Sequence, residues 1–584
     1  MLRYRKNNKI MKQITILTLL MLSFSINAQN QLIIPGVIES TSINLTLQNG
    51  THQFLPGQLT ATMGVNGDIL GPTLIVNKGD SLDINVTNDL GQPTTIHWHG
   101  MHVSAVNDGG PHTVIDPGTT WNPQITVMDK ASTFWYHPHL DHFTDEHVSK
   151  GIAGFIIVRD TEEAALDLPR TYGVDDIPLA IQTKNFDANN QILHGTNADD
   201  VLMVNATLDP QIDLPAQIVR LRILNGSSQR IFNIGFSGNQ QFHLIGTDGG
   251  LIEAPVALTR LQLGPGERAE ILLDLNGLEN QVVQLMSYAS ELANGHYGAT
   301  NPGMNGGMVL DGYNPNTMNG NDFDIMQINV VAQTANPVTT IPNSLVTLTP
   351  YLEANADASR DFLFQAITPG FNQLNSDFRI NGVSFDMNVI NVTIPLDNVE
   401  IWTIQNNTPI AHPFHIHDIQ YYILDINGNP PPASASGLKD TYLIPPGQGT
   451  MRVITKFDDF ANDSVPYMYH CHMLKHEDGG MMGQFVVVDD PSAGLNNTEP
   501  DDGFTLFPNP SNGIYMTANL HDKNEKITAY AVVNSLGQIV SYHKIDVHEI
   551  SNMYSFPIFE YSSGTYILKV YTENSFFSKQ FIVK

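Results

Sequence analysis

Tyr469-His470-Cys471-His472-Met473-Leu474-Lys475-His476-Glu477, running on to Met481, carries the only cysteine in the chain. A lone cysteine closes no internal disulfide. Histidines flank it on both sides, and a further histidine and a methionine follow at a fixed spacing, His-Cys-His-x₃-His-x₄-Met. The segment reads as a strand leading into a loop. Side chains alternate faces along a strand, so Cys471 points one way and His470 and His472 point the other. One thiolate then faces one metal, and two imidazoles face a second site behind it. Cys471, His476 and Met481 supply thiolate, imidazole and thioether. With one more histidine they make the His₂Cys set and weak axial methionine that suit blue copper. The plain alternative is a buried free cysteine with chance histidines around it, and the spacing disfavours that.

Three more histidine clusters lie upstream: His97-Trp98-His99, His137-Pro138-His139 and His412-Pro413-Phe414-His415-Ile416-His417. His-x-His on a strand puts both rings on one face, where they reach one metal or two adjacent ones. A single such pair could be chance or a zinc site. The four clusters together use ten of the chain's 21 histidines and its only cysteine. Once a blue-copper site takes His412 and His476, eight imidazoles remain. Eight suits three copper ions, two with three ligands and one with two. Copper cycles by one electron where zinc cannot. The Cys471 backbone joins the two centres by a covalent path on the order of 10 Å. That wiring suits one-electron oxidation of a donor coupled to multi-electron reduction of oxygen.

The clusters sit in a chain of repeated texture. Short alternating apolar runs broken by Gly, Pro and Asn fill about 31–160, as in Leu82-Asp83-Ile84-Asn85-Val86. They return over about 177–332, as in Val219-Arg220-Leu221-Arg222-Ile223, and over about 340–490, as in Val399-Glu400-Ile401-Trp402-Thr403-Ile404. This is the pattern of an all-β protein of three consecutive sandwiches, an internal repeat. Two clusters fall in the first sandwich and two in the third, so the metal group is expected at their interface, with the second sandwich structural. We place the domains at 29–165, 166–335 and 336–490. A glycine- and asparagine-rich loop from Met286 to Met326 carries Met304, Met308 and Met318. A polar linker at 491–502 leads to a small separate β-sandwich domain, 503–584, without a ligand cluster.

Residues 1–28 read as a secretory signal: Arg3, Arg5, Lys6, Lys9 and Lys12 precede an apolar run, and Ala28 ends a small-residue cleavage site. A start at Met11 would leave a shorter signal of the same kind. The run is too short to span a bilayer, so the protein is expected to be exported, secreted or at the cell surface, with no transmembrane segment. An exported chain that keeps one thiol is most simply keeping a metal ligand. The net charge is -30, and loss of five basic signal residues takes it to about -35, which argues against nucleic acid as a partner.

At this point the residues resemble a known family. Residues 31 to about 490 look like a three-domain bacterial multicopper oxidase of the laccase, cuprous-oxidase and bilirubin-oxidase group, with all four ligand motifs present in order. The resemblance implies three cupredoxin-like Greek-key sandwiches and four copper ions: one type 1, one type 2 and a type 3 pair. It implies type 1 ligands His412, Cys471, His476 and Met481, with Met482 a competitor for the axial position, and type 2 ligands His97 and His415. It assigns the type 3 pair to His99, His137 and His470 on one ion and His139, His417 and His472 on the other. It also implies O₂ reduced to water by electrons from a phenol, an aromatic compound or a metal ion such as Cu(I) or Fe(II), and it places Asp108 and Glu477 as proton donors near the oxygen site. The methionines at 304, 308 and 318 resemble in part the Met-rich insertion of cuprous oxidases; gap-filling is the alternative. His102, His112, His142 and His147 fall outside the ligand set. The C-terminal domain resembles type IX (Por) secretion sorting domains in its Phe507-Pro508-Asn509-Pro510 start, its Gly564-Thr565-Tyr566-Ile567-Leu568-Lys569-Val570 strand and its terminal lysine. That implies the type IX secretion machinery as a partner. Two other functions compete: a non-catalytic copper-binding or structural relative, and a nitrite-reducing enzyme, which needs no eight-histidine cluster.

Overall fold

A computed structural model describes residues 29–489 and 503–584, apart from 369, 371–372, 512–514, 535–538, 546–549, 560 and 573–575. The signal segment at 1–28 and the whole linker at 491–502 lie outside the described residues. The chain divides at Pro491/Ser492 into two compact units.

The first unit is built three times over from one scheme. In each repeat a long strand runs parallel to a second: Ser42–His52 with Ser81–Asp89, Asp176–Phe186 with Ile218–Asn225, and Ala358–Ala366 with Val399–Asn407. A facing sheet in each repeat holds a second parallel pair: Thr73–Asn77 with Gly154–Arg159, Pro210–Pro215 with Phe323–Val331, and Val392–Pro395 with Met482–Val488. Antiparallel neighbours complete the sheets, apart from the two-residue strands Asn30–Gln31 and Val37–Ile38, which join theirs in parallel. Alternation in the sequence fixes which face turns inward. In Ser81–Asp89 the side chains of Leu82, Ile84 and Val86 are buried, while Ser81, Asp83 and Asp89 are exposed. Each pair of sheets encloses its own core, around Ile84 and Phe134, around Leu221 and Phe232, and around Trp402 and Phe414.

Among the described residues, helices are confined to short connections, the longest being Thr144–Lys150. Between Ser287 and Phe323 only one 3₁₀ turn, Ala289–Glu291, interrupts the long loop. Two details differ from the sequence reading. Asn30–Gln31 pairs in parallel with Pro210–Pro215, so the start of the region taken for the first sandwich belongs to a sheet of the second. Two residues are too few to show which sheet they join. The opening stretch leaves its strand, Asn462–Cys471, through a helical turn, Leu474–Asp478, rather than a loop.

The second unit packs a sheet of Phe504–Phe507, Tyr515–Leu520 and Met553–Pro557 with one of Ile539–Lys544, Ala529–Asn534, Gly564–Tyr571 and Phe576–Val583. Its core gathers Phe504, Met516, Val532, Leu568 and Phe581. Among the described residues no helix is long and apolar enough to cross a membrane.

Candidate metal centre

Two antiparallel strand pairs bring the histidines together. In the first sandwich His97–His99 lies against Ser132–His137 with His97 opposite His137. In the third, His412–Ile416 lies against Asn462–Cys471 with His415 opposite His470 and Phe414 opposite Cys471. The alternation read from the sequence therefore holds: Cys471 turns into the third core with Phe414, and His470 and His472 turn toward the first sandwich. The two sandwiches interleave as stacked rings. His97 stacks on His417 and His99 on His415, each with centroids 3.8 Å apart.

Ring nitrogens converge in three groups. The Nε2 atoms of His139, His417 and His470 lie 3.1, 3.2 and 3.3 Å from one another. Their Nδ1 atoms face acceptors: Asp108 Oδ2 at 2.8 Å for His417, the Cys471 carbonyl at 3.1 Å for His470, and Glu477 at 3.4 Å for His139. Each Nδ1 thus carries the proton, and three lone pairs meet at one point. A second group forms where His99 Nδ1 lies 3.4 Å from His137 Nε2 and 3.3 Å from His472 Nε2. The third is His97 and His415, whose Nδ1 atoms donate to the backbone carbonyls of Asp108 and Asp440, each at 2.9 Å, leaving both Nε2 atoms buried with no partner.

This grouping corrects the expected type 3 assignment. His470 joins His139 and His417, and His472 joins His99 and His137; the sequence-based reading had the two exchanged. Both rings point to the same strand face, so alternation cannot rank them. The strand register and the reach of each ring across the interface decide.

At the cysteine, Sγ lies 3.4 Å from His412 Nδ1 and 3.7 Å from His476 Nδ1. The helical turn and Gly480, at φ +92°, fold the chain back so that Cys471 N–H donates to the Met481 carbonyl at 3.1 Å. Left-handed φ is a conformation that favours glycine. Met481 is fully buried in the same core cluster as Cys471, which Met482 does not join. Phe378 packs on His412 and His476, with centroids 4.8 and 4.6 Å away, and His476 alone of these ligand residues keeps part of its surface exposed.

The donor set fits copper. Ligand atoms about 2.0 Å from one ion at trigonal or tetrahedral angles stand roughly 3.3–3.5 Å apart, and a sulfur at about 2.3 Å widens that slightly. The observed spacings match. Three mutually facing acceptors and two orphaned buried nitrogens, each orphan costing about 1–3 kcal/mol, are tolerable around a cation. Burial first, then neighbouring imidazoles, hold His415 and His417 well below the ordinary histidine range. Burial lowers His139 to about 4, and His472 and His476 to about 3. All stay neutral near pH 7, the form that ligates metals.

Both expected acids lie at the cluster. Asp108 lies 2.8 Å from His417 and 3.4 Å from His97, and its Oδ1 has no hydrogen-bond partner. Glu477 reaches His139 at 3.4 Å and His470 at 3.2 Å. Burial alone would raise its pKa; His139 and His470 outweigh that and hold the carboxyl well below the usual range. His102 pairs with Asp418 at 2.9 Å, His112 meets Gln484 at 2.8 Å, His147 meets Thr94 at 3.0 Å, and His142 is exposed, so these four serve elsewhere. Sequence reasoning missed Asp440, which contacts His99 at 3.1 Å, Arg268, which holds Asp440, and Thr408, whose hydroxyl bonds His412 Nε2 at 2.8 Å. None sits in a histidine motif, and Arg268 comes from the sandwich that supplies no ligand.

Comparison with known proteins identifies the family. Family models described as multicopper oxidase match residues 46–163, 192–299 and 355–491, and one described as a secretion system C-terminal sorting domain matches 505–584. That last match marks the protein for export, to the cell surface or the medium. The multicopper oxidase mco of Staphylococcus haemolyticus is 32% identical over 80% of this chain and 94% of its own length. A cell division protein FtsP from Photorhabdus laumondii is 29% identical, with the same shares covered. The solved structure of a laccase-like multi-copper oxidase, CueO from Ochrobactrum sp., is 34% identical and superposes with a TM-score of 0.68 over 78% of this chain and all of that one. Three family models along the three repeated sandwiches, and a relative 32% identical over most of both chains, place it: this copper-binding chain belongs to the multicopper oxidase family.

Proposed function

We propose that this oxidoreductase takes electrons singly from a small donor at His412, Cys471, His476 and Met481, and passes them to the eight-histidine cluster, where O₂ is reduced to water. Four copper ions would be held: one by the cysteine set, one by each three-nitrogen group, and one by His97 and His415. Bound copper supplies the one-electron redox steps and the site for oxygen. The observation that carries the reading is the convergence of the His139, His417 and His470 Nε2 atoms within 3.3 Å, backed by Cys471 between His470 and His472.

The chain's own groups do the rest. The half-buried edge of His476 is where a phenol, an aromatic compound or a metal ion would deliver its electron, with Phe378 packed on both type 1 imidazoles. Asp108 and Glu477 would bring protons inward, since each has a buried carboxylate oxygen with no hydrogen-bond partner beside cluster imidazoles. The sorting domain would engage the type IX secretion machinery. Similarity to cell division proteins supports a non-catalytic role as the competing reading; the complete donor set favours catalysis.

The test is copper content with oxygen uptake. The loaded protein is expected to hold four copper ions per chain, to absorb intensely in the red, and to consume O₂ with a phenol, Fe(II) or Cu(I). Cys471→Ser is expected to lose the colour and the uptake together. Full uptake by that variant would overturn the reading.

A further inference from the structure

Asp108 and Asp440 are placed as twins. Asp108, in the first sandwich, takes the Nδ1 proton of its own His97 on its backbone carbonyl at 2.9 Å, and its carboxylate takes that of His417 from the third at 2.8 Å. Asp440, in the third sandwich, takes the Nδ1 proton of its own His415 on its backbone carbonyl at 2.9 Å, and its carboxylate takes the Nε2 proton of His99 from the first at 3.1 Å. Each aspartate therefore holds both rings of one of the two inter-sandwich stacks.

They differ in what lies behind them. Asp108 Oδ1 has no hydrogen-bond partner. Asp440 is gripped on both oxygens by Arg268, with Nη1 2.7 Å from Oδ1. Arg268 is anchored in turn: Nε donates to the Thr133 carbonyl at 3.1 Å, Nη1 to the Gly266 carbonyl at 3.0 Å and Nη2 to the Asp248 carbonyl at 3.2 Å. Asp248 and Glu267 each hold Lys439, next to Asp440, at 2.9 Å. All of these side chains are buried. A bidentate guanidinium–carboxylate pair fixes orientation as well as charge.

His99 is the ring this matters to most. Of the eight cluster histidines it alone turns Nδ1 to its neighbours, His137 and His472, and so must keep its proton on Nε2, where Asp440 accepts it at 3.1 Å. We propose that Asp440, locked by Arg268 of the second sandwich, is a positioning residue that sets the orientation and tautomer of His99 and the placement of His415. This gives the sandwich without ligands a part in the metal site. The inference rests on the copper assignment proposed above.

The experiment measures copper retention against a chelator, with the blue absorbance and the type 2 paramagnetic signal read separately, in the full chain. Asp440→Ala is expected to weaken retention of cluster copper by about 10–100-fold, the usual effect of losing a ligand's outer partner, and to leave the blue absorbance intact. Asp440→Asn, whose amide oxygen still accepts from His99, is expected to recover most of that loss, and Arg268→Gln to fall between them. Arg222→Gln breaks an equally buried pair, 2.7 Å from Asp176 and from Glu270, that touches no histidine. It is expected to lower Tm without changing retention. Retention at the parent level in Asp440→Ala, or equal losses in Asp440→Ala and Asp440→Asn, would overturn the proposal. If Asp440→Ala does not fold, Arg268→Gln decides, and parent-level retention there overturns it. Failure of the copper assignment would show instead in the parent protein, as fewer than four ions or no type 2 signal.

Discussion

Replacing Glu477 with glutamine separates its two possible duties. The carboxylate holds the Nδ1 atoms of two imidazoles, His139 at 3.4 Å and His470 at 3.2 Å. His470 Nδ1 donates to the Cys471 carbonyl and neither Glu477 oxygen is hydrogen-bonded, so glutamine removes the negative charge beside the two rings and turns an amide donor toward one of them. Losing the charged outer partner of two ligand rings weakens the hold on the ion they share by roughly 10- to 100-fold. Loss of a proton donor acts on rate instead, by about 10²–10⁴. With copper in excess the first effect is saturated and the second remains. We expect Glu477→Gln, loaded with copper, to keep its donor KM while kcat for O₂ uptake falls about 100-fold. The anaerobically bleached protein should regain its blue colour slowly on mixing with O₂. A fully loaded variant with kcat within about twofold of the parent would refute proton delivery by Glu477.

The copper-free protein should be acid-sensitive. His139, lowered by burial to about 4, and His472 and His476, lowered by burial to about 3, bind protons less readily folded than unfolded. Their contribution is complete above about 6.5 and is lost as pH falls toward the folded values, at up to about 1.4 kcal/mol per pH unit for each group. Tm of the copper-free protein should drop steeply from pH 7 to 5.5, and the loaded protein much less; a flat copper-free profile would contradict the burial argument. In the long loop, the Met304 thioether lies against Gly447, Met308 packs on the third core and against Gly303, and Met318 is buried. Changing all three to leucine, a volume-conserving swap, should leave Cu(I) oxidation within about threefold. A larger loss with phenol oxidation unchanged would identify the loop as a Cu(I) site.

Much of the centre was legible because local periodicity carries it. Two-residue alternation places His470 and His472 opposite Cys471, and the structure keeps that. The three sandwiches showed as three blocks of short alternating runs because each inward face must be apolar at every second residue. What escaped depends on contacts distant in sequence. The partners of His470 and His472 follow from how two sandwiches dock, and both rings look alike to alternation. Asp440 and Arg268 are separated by 172 positions and sit in no repeated pattern, so only the folded chain joins them. The helical turn at Leu474–Asp478 is too short to impose a helical period of its own.

The cluster's composition also bears on when it can exist. His99 and Asp440 are 341 positions apart, and His139 and His470 are 331 apart. No shorter stretch of chain holds even one complete three-nitrogen group, because each takes rings from both the first and the third sandwich. A nascent chain that stops before His470 lacks the third ring of both three-nitrogen groups and the thiolate, and its incomplete sites bind ions weakly and exchange them freely. Redox competence therefore arrives in a single late event, when the third sandwich closes on the first. Until then the polypeptide cannot hand electrons to oxygen, which spares the cell an active oxidase during synthesis.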